Sequence, residues 1–158
     1  MNVRDLVLLI IGLLGKVRGT TRLHKIAFLA VKEGGIDVNA EFIPHFYGPW
    51  SPDIQKALNE LVEARIINVT IDETGIQDES PPKIYSLTEN GKKILKVTLA
   101  RMSREELLRL KFIMRRYGFM PLTYLLTYIY TRYPEYTKVS IIRDKINEWR
   151  KFYGLGLR

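Results

Sequence analysis

A mainly α-helical protein carrying one small β-wing is the fold class this sequence predicts, and three observations predict it. Ser51-Pro-Asp53 supplies an N-cap hydroxyl, a proline for the first helical position and an acid for the positive helix end. After that helix, Ile67, Val69 and Ile71 alternate with polar residues, and Ile84, Tyr85 and Leu87 return the chain beyond an acidic loop. From Ser103 onward the sequence carries only helix signals, beginning with the capping box Ser103-Arg-Glu-Glu106. Helix, strand, acidic loop and strand is how a winged helix ends. Residues 1–100 therefore read as a winged helix-turn-helix-like domain, and residues 101–158 as a C-terminal helical region packed on it.

Val3 to about Gly15 is apolar on nearly every side, with Leu6, Val7, Leu8, Leu9, Ile10, Ile11, Leu13 and Leu14. A helix of that kind is buried, either at the centre of its own domain or in a dimer interface. Lys16-Val-Arg-Gly-Thr-Thr-Arg joins it to a second helix, whose core face is Leu23, Ile26, Ala27 and Ala30. Gly19 suits the end of the first helix, and Thr20 or Thr21 suits the N-cap of the second. Lys16, Arg18, Arg22 and Lys25 cluster there with the two hydroxyls, a combination suited to phosphate. A solvated turn with scattered charges is the plainer reading of the same residues.

Phe42 to Trp50 reads as a short aromatic strand and a tight turn, with Gly48 and Pro49 set by backbone geometry. Interleaved aromatics can stack on bases, but no basic residue lies between Glu41 and Pro52, so a packed strand–helix corner is expected. The helix from Ser51 to about Ile66 turns Ile54, Leu58, Leu61 and Val62 inward and leaves Gln55, Lys56, Asn59, Glu60 and Glu63 outward. Thr88 can cap a helix bearing Lys92, Lys93 and Lys96, with Ile94, Leu95 and Leu99 inward. The helix after Ser103 buries Leu107, Leu110 and Met114 and ends at Gly118; Pro121 opens a tyrosine-rich helix that Pro134 ends. A last helix from about Ser140 carries Ile142, Ile146, Trp149 and Tyr153 as one stripe.

The 158 residues suit one compact domain or a small domain with a helical extension. With no cysteine there is no disulfide, thiolate metal site or thiol nucleophile. His24 and His45 are the only histidines and lack convergent ligands, so both are expected to be structural, with no metal and no cofactor. No paired carboxylates, nucleophile–base pattern or glycine-rich phosphate loop points to catalysis. The run Leu6–Leu14 is too short to span a bilayer, and the expected location is cytoplasmic. The absence of Cys, two Gln and abundant Lys, Arg, Ile and Tyr fit a heat-adapted, thermophile-like source.

Net charge is +8, but its distribution is uneven. Residues 1–35 hold six bases against two acids, residues 36–80 two bases against nine acids, and residues 81–158 seventeen bases against six acids. The middle of the chain is acidic and both ends are basic.

Thr21-Arg-Leu-His-Lys-Ile-Ala-Phe-Leu-Ala, Pro44-His-Phe-Tyr-Gly-Pro-Trp-Ser and Tyr85-Ser-Leu-Thr-Glu-Asn-Gly together resemble the Panacea-type family. That winged-helix-like group includes SocA-like antitoxins and YwgA-like proteins. Tyr130-Thr-Arg-Tyr-Pro-Glu-Tyr is similar to a further segment of such proteins, and the resemblance spans roughly residues 18–140. Tyr-Gly-Pro-Trp-Ser is its most specific part. It implies a fold and a regulatory or interaction role, and no catalytic residue.

The expected function is a non-enzymatic, DNA-associated regulator. In the usual docking mode the helix before the wing enters the major groove. Here that helix holds Asp53, Glu60 and Glu63 against Lys56 and Arg65, and the wing holds Asp72, Glu73, Asp78 and Glu79, which phosphates would repel. Double-stranded DNA is therefore expected at Lys16, Arg18, Thr20, Thr21, Arg22 and Lys25, helped by Lys92, Lys93 and Lys96. The alternative is a protein-interaction module, an antitoxin or adaptor, using the acidic wing and the C-terminal helices, with a homodimer among its forms.

Overall fold

The computed structural model describes residues 1–73 and 81–155. The elements run α1 (Val3–Leu14), β1 (Lys16–Arg18), α2 (Thr20–Lys32), β2 (Ile43–His45), β3 (Gly48–Trp50), α3 (Pro52–Glu63), β4 (Ile67–Ile71), β5 (Lys83–Leu87), α4 (Glu89–Arg101), α5 (Arg104–Tyr117), α6 (Leu122–Arg132) and α7 (Arg143–Tyr153), with a 3₁₀ turn at Pro134–Tyr136. Among the described residues the fold is mainly helical, with a three-stranded antiparallel sheet ordered β1-β5-β4 and a separate β2-β3 hairpin.

α1 is the axis of the core. Asn2 Oδ1 caps it by accepting from Asp5 N at 2.8 Å, and Leu6 through Ile11 are buried without a break. A helix buried on all faces needs neighbours on every side, and α2, α3, α4 and α5 supply them. α5 and α6 send Leu110, Ile113, Met114, Tyr117, Leu125 and Ile129 into this same core. α7 adds a second, smaller cluster, in which Ile142 and Ile146 meet Leu126 and Tyr130.

The junction after α1 differs from the sequence expectation. α1 ends at Gly15, four residues before Gly19, and Lys16–Arg18 become a strand paired with β5 (Lys16 opposite Ser86, Val17 opposite Tyr85, Arg18 opposite Ile84). Val17 and Tyr85 are both buried, so this short pairing closes the sheet over the core. Gly19 is the N-cap of α2, in a conformation of positive φ (90°), and neither threonine caps the helix. The strand is already held by Gly19 N donating to Lys83 O at 2.8 Å, so the turn into α2 falls one residue before Thr20.

α3 follows its start signal. Ser51 Oγ accepts from Ile54 N at 3.2 Å, Pro52 opens the helix, and Ile54, Ala57, Leu58 and Leu61 are buried. Ile67 is buried at the root of β4, Val69 is half-buried, and Ile71 is 56% exposed because the hairpin leaves the core there. At the other end of β5, Thr88 Oγ1 donates to Arg65 O at 2.7 Å and accepts from Gly91 N at 3.0 Å. A Cβ at Gly91 would collide with the Ile66 carbonyl oxygen. Leu-Thr-x-x-Gly is thus the joint that clamps the start of α4 onto the end of α3.

Candidate nucleic-acid interface

The segments Thr21–Ala30 and Pro44–Ser51 form one structural unit. His24 is fully buried on α2 and holds the first turn of α3: its Nδ1 accepts from Ser51 N at 3.1 Å, and its Nε2 lies 3.1 Å from Gln55 Oε1. A backbone N–H can only donate, so Nδ1 is the bare nitrogen and Nε2 carries the proton. Burial lowers the His24 pKa to about 4, with the charges of Lys25 and His45 adding to it and the Gln55 hydrogen bond opposing it. The ring is therefore neutral at pH 7 and stacks on Trp50 (centroids 4.9 Å apart), whose indole also lies 5.0 Å from His45. Gly48 sits at φ 93°, and a Cβ there would come within 2.9 Å of the Tyr130 ring. Only glycine suits both constraints, so Tyr-Gly-Pro-Trp-Ser is a packed corner gripped by α2 on one side and α6 on the other. Among the described residues no three His, Cys, Asp or Glu side chains converge as a metal site.

Lys25 belongs to that corner and corrects the expected phosphate set. Only 1% of it is exposed, and its Nζ donates to Pro49 O at 2.9 Å. Desolvation lowers its pKa to about 7. An amine enclosed in this way cannot reach a phosphate.

The other expected contacts divide further. Arg22 is half-buried and spends its guanidinium on the loop between α5 and α6, where Nη1 donates to Met120 O at 2.7 Å and Gly118 O at 3.5 Å. Burial, then the neighbouring Arg18 charge, lowers its pKa. Arg18 Nε donates to Asp72 Oδ2 at 2.7 Å, so the acidic residue that follows β4 meets the basic cluster directly. Asp78 and Glu79 lie outside the described residues. Lys16 is exposed on β1, and Thr20 and Thr21 are half-buried in the first turn of α2. Lys92, Lys93 and Lys96 are exposed on α4, with Lys92 Nζ 3.0 Å from Glu89 Oε1.

Lys16, Arg18 and Arg22 do share one feature, an open hollow of about 380 Å³ bordered also by Leu14, Asp72, Ile84 and Phe119. Phe119 is 75% exposed and borders a second hollow of about 220 Å³ with Lys111 and Arg115 of α5. Sequence reasoning passed over this phenylalanine. Its signal was there: an aromatic side chain between Gly118 and Pro121, in a turn where neither helix face can bury it.

The tyrosines of the C-terminal helices are mostly spent inside the molecule. Glu33, at the end of α2, accepts hydrogen bonds from the hydroxyls of Tyr117, Tyr128 (2.7 Å) and Tyr133 (2.8 Å). Burial raises the Glu33 pKa, yet the three donors outweigh it and hold the carboxyl below its ordinary value. Tyr130 OH lies 2.6 Å from Ser140 Oγ, and Tyr124 packs edge-on against Tyr153.

No protein-family model matches the chain, and no curated protein does. No helix among the described residues is long and apolar enough to cross a membrane.

Proposed function

We propose that this chain is a non-enzymatic winged-helix regulatory protein that associates with DNA through its basic surface rather than through α3. The observation that carries the reading is the strand order β1-β5-β4. The strand after the first helix pairs with the return strand of the hairpin that follows the third, an arrangement that supports a winged helix-turn-helix reading with the β2-β3 hairpin lying between its second and third helices. The resemblance to the Panacea-type family points the same way. α3 itself is poorly suited to a groove: Glu60 is engaged by Arg4 (3.7 Å) and Lys56 (4.0 Å), and Gln55 is held between His24 and Asn59. Exposed cations at Lys16, Arg18, Lys93, Lys96 and Arg115, with the half-buried Lys111, remain for the phosphates.

A salt titration with random duplex DNA tests this. Removing one phosphate-binding charge should lower the magnitude of the log K against log salt slope by about 0.9. Lys16→Ala and the pair Lys93→Ala, Lys96→Ala should flatten it by about 1 and about 2 units respectively, with folding unchanged. Absence of any binding at low salt removes the DNA reading. Lys25→Ala is unsuitable for this purpose, because it empties a buried site.

The protein-interaction reading is favoured by a different feature. A hollow of about 470 Å³ lies among Thr21, Tyr47, Leu126, Ile141, Lys145 and Trp149, where β2-β3, α6 and α7 meet. Ile141 is 64% exposed at its rim. An antitoxin or adaptor, or a homodimer, would use such a mixed face, with Tyr47, Ile141 and Trp149 beside Thr21 and Lys145.

A further inference from the structure

Between α5 and α6 the chain turns through Gly118, Phe119 and Met120. Arg22 reaches across from α2 and takes the two carbonyls on either side of the phenylalanine, Met120 O at 2.7 Å and Gly118 O at 3.5 Å. The backbone carrying Phe119 is thereby held in place while its ring stays 75% exposed. Two hollows meet at that ring. Lys16, Arg18, Arg22 and Asp72 border one, and Lys111 and Arg115 border the other. Among the described residues, five bases and a single acid therefore surround an aromatic side chain that fills neither hollow, and that acid, Asp72, is held by Arg18.

We infer that Phe119 is a stacking platform for an unpaired base of single-stranded nucleic acid. Its phosphates pass Lys16 and Arg18 on one side of the ring and Lys111 and Arg115 on the other. This rests on the nucleic-acid reading above and adds the residue that would touch a base. The physical case has three parts. An aromatic face accepts any base, because every base has a π-face, and such platforms recur beside cationic grooves in single-strand binders. A base within a duplex offers its faces to its neighbours, so a ring fixed on a clamped loop meets an unpaired base at lower cost. Arg22 removes the loop motion that stacking would otherwise have to freeze, which is preorganisation of the kind that raises affinity.

The test uses the full chain and a fluorescein-labelled 20-nucleotide oligothymidylate, with a 20-base-pair random duplex and polyglutamate as separate probes, read by anisotropy over a salt series. Phe119→Ala should weaken the single strand by roughly 5- to 100-fold while leaving the salt slope at its wild-type value, because every phosphate-binding charge is still in place. Lys16→Ala should instead lower the slope by about 0.7. Phe119→Trp should keep the affinity, with its fluorescence quenched as the strand binds. Phe119 is exposed, so a circular dichroism spectrum unchanged in Phe119→Ala is expected. Wild-type affinity of Phe119→Ala for the single strand overturns the inference alone, provided the unmodified chain binds DNA. A loss confined to the duplex, or an equal loss for polyglutamate, also overturns it, by assigning the ring to a duplex wedge or to an acidic protein segment. Failure of the wild-type chain to bind either DNA at low salt overturns both this and the reading beneath it.

Discussion

His24 and Lys25 are adjacent on α2, and both are buried bases whose charged forms the fold disfavours. Their pKa values fall from 6.5 to about 4 and from 10.5 to about 7. Between the folded and unfolded values the unfolded chain binds more protons, so stability rises with pH there. For His24 that window runs from about pH 4 to 6.5, and for Lys25 from about pH 7 to 10.5. Below each folded value the full penalty is present and the slope vanishes. Lys25→Met should therefore flatten the rise between about pH 7.5 and 9.5, which a single group can make no steeper than about 1.4 kcal/mol per pH unit, and leave the acid limb unaltered. Urea melts across that range decide it; an unchanged alkaline slope would mean Lys25 is charged where it sits. Neither shift was legible in the sequence. His24 carried only the argument that it lacked ligands, and Lys25 counted as surface charge because nothing local tells a helical lysine that a tryptophan corner will fold over it.

At the scale of elements, local signals travelled well where one residue satisfies a helix end. Ser51, Thr88 and Ser103 each cap the helix they were expected to cap. The apolar face of α3 is equally secure, so Leu61→Ala should cost about 2–5 kcal/mol and Glu60→Ala, in exposed ion pairs, within about 0.5 kcal/mol, by denaturant melts. Non-local pairing was the part that stayed hidden. β1 is three residues long with alternating exposure, and it exists because β5, more than sixty residues later, offers it a ladder. The Glu33 latch was hidden for the same reason: Tyr117, Tyr128 and Tyr133 come from beyond α4 to meet the end of α2. A carboxylate with three hydroxyl donors is worth more than its exposure suggests. Glu33→Gln keeps the shape but can accept fewer of those bonds, and should cost about 1–3 kcal/mol. Glu105→Gln, which only weakens an exposed pair with Arg109 (3.9 Å), serves as the control and should stay within about 0.5 kcal/mol. Equal effects in the two variants would show that the tyrosines repack without the charge.

Across the whole molecule, the distribution of buried side chains sets what unfolds together. Leu9 of α1, Ile113 of α5 and Ile129 of α6 lie in one continuous core, so the helices after residue 100 are built into the centre formed by the first hundred. α7 is attached differently. It packs chiefly on α6, through Ile142 and Ile146 with Trp149 at the margin. A unit joined by one small cluster can open while the main core stays closed. Ile113→Ala should accordingly lower the single main unfolding transition by about 2–5 kcal/mol, as Leu9→Ala should, because each leaves a cavity in the shared core. Ile146→Ala should leave that transition much less affected and instead speed amide hydrogen exchange along Arg143–Tyr153, with α1 protection unchanged. Slow exchange in α7 that falls only together with α1 would mean that the second cluster is not separable, and that α1 to α7 form one cooperative unit.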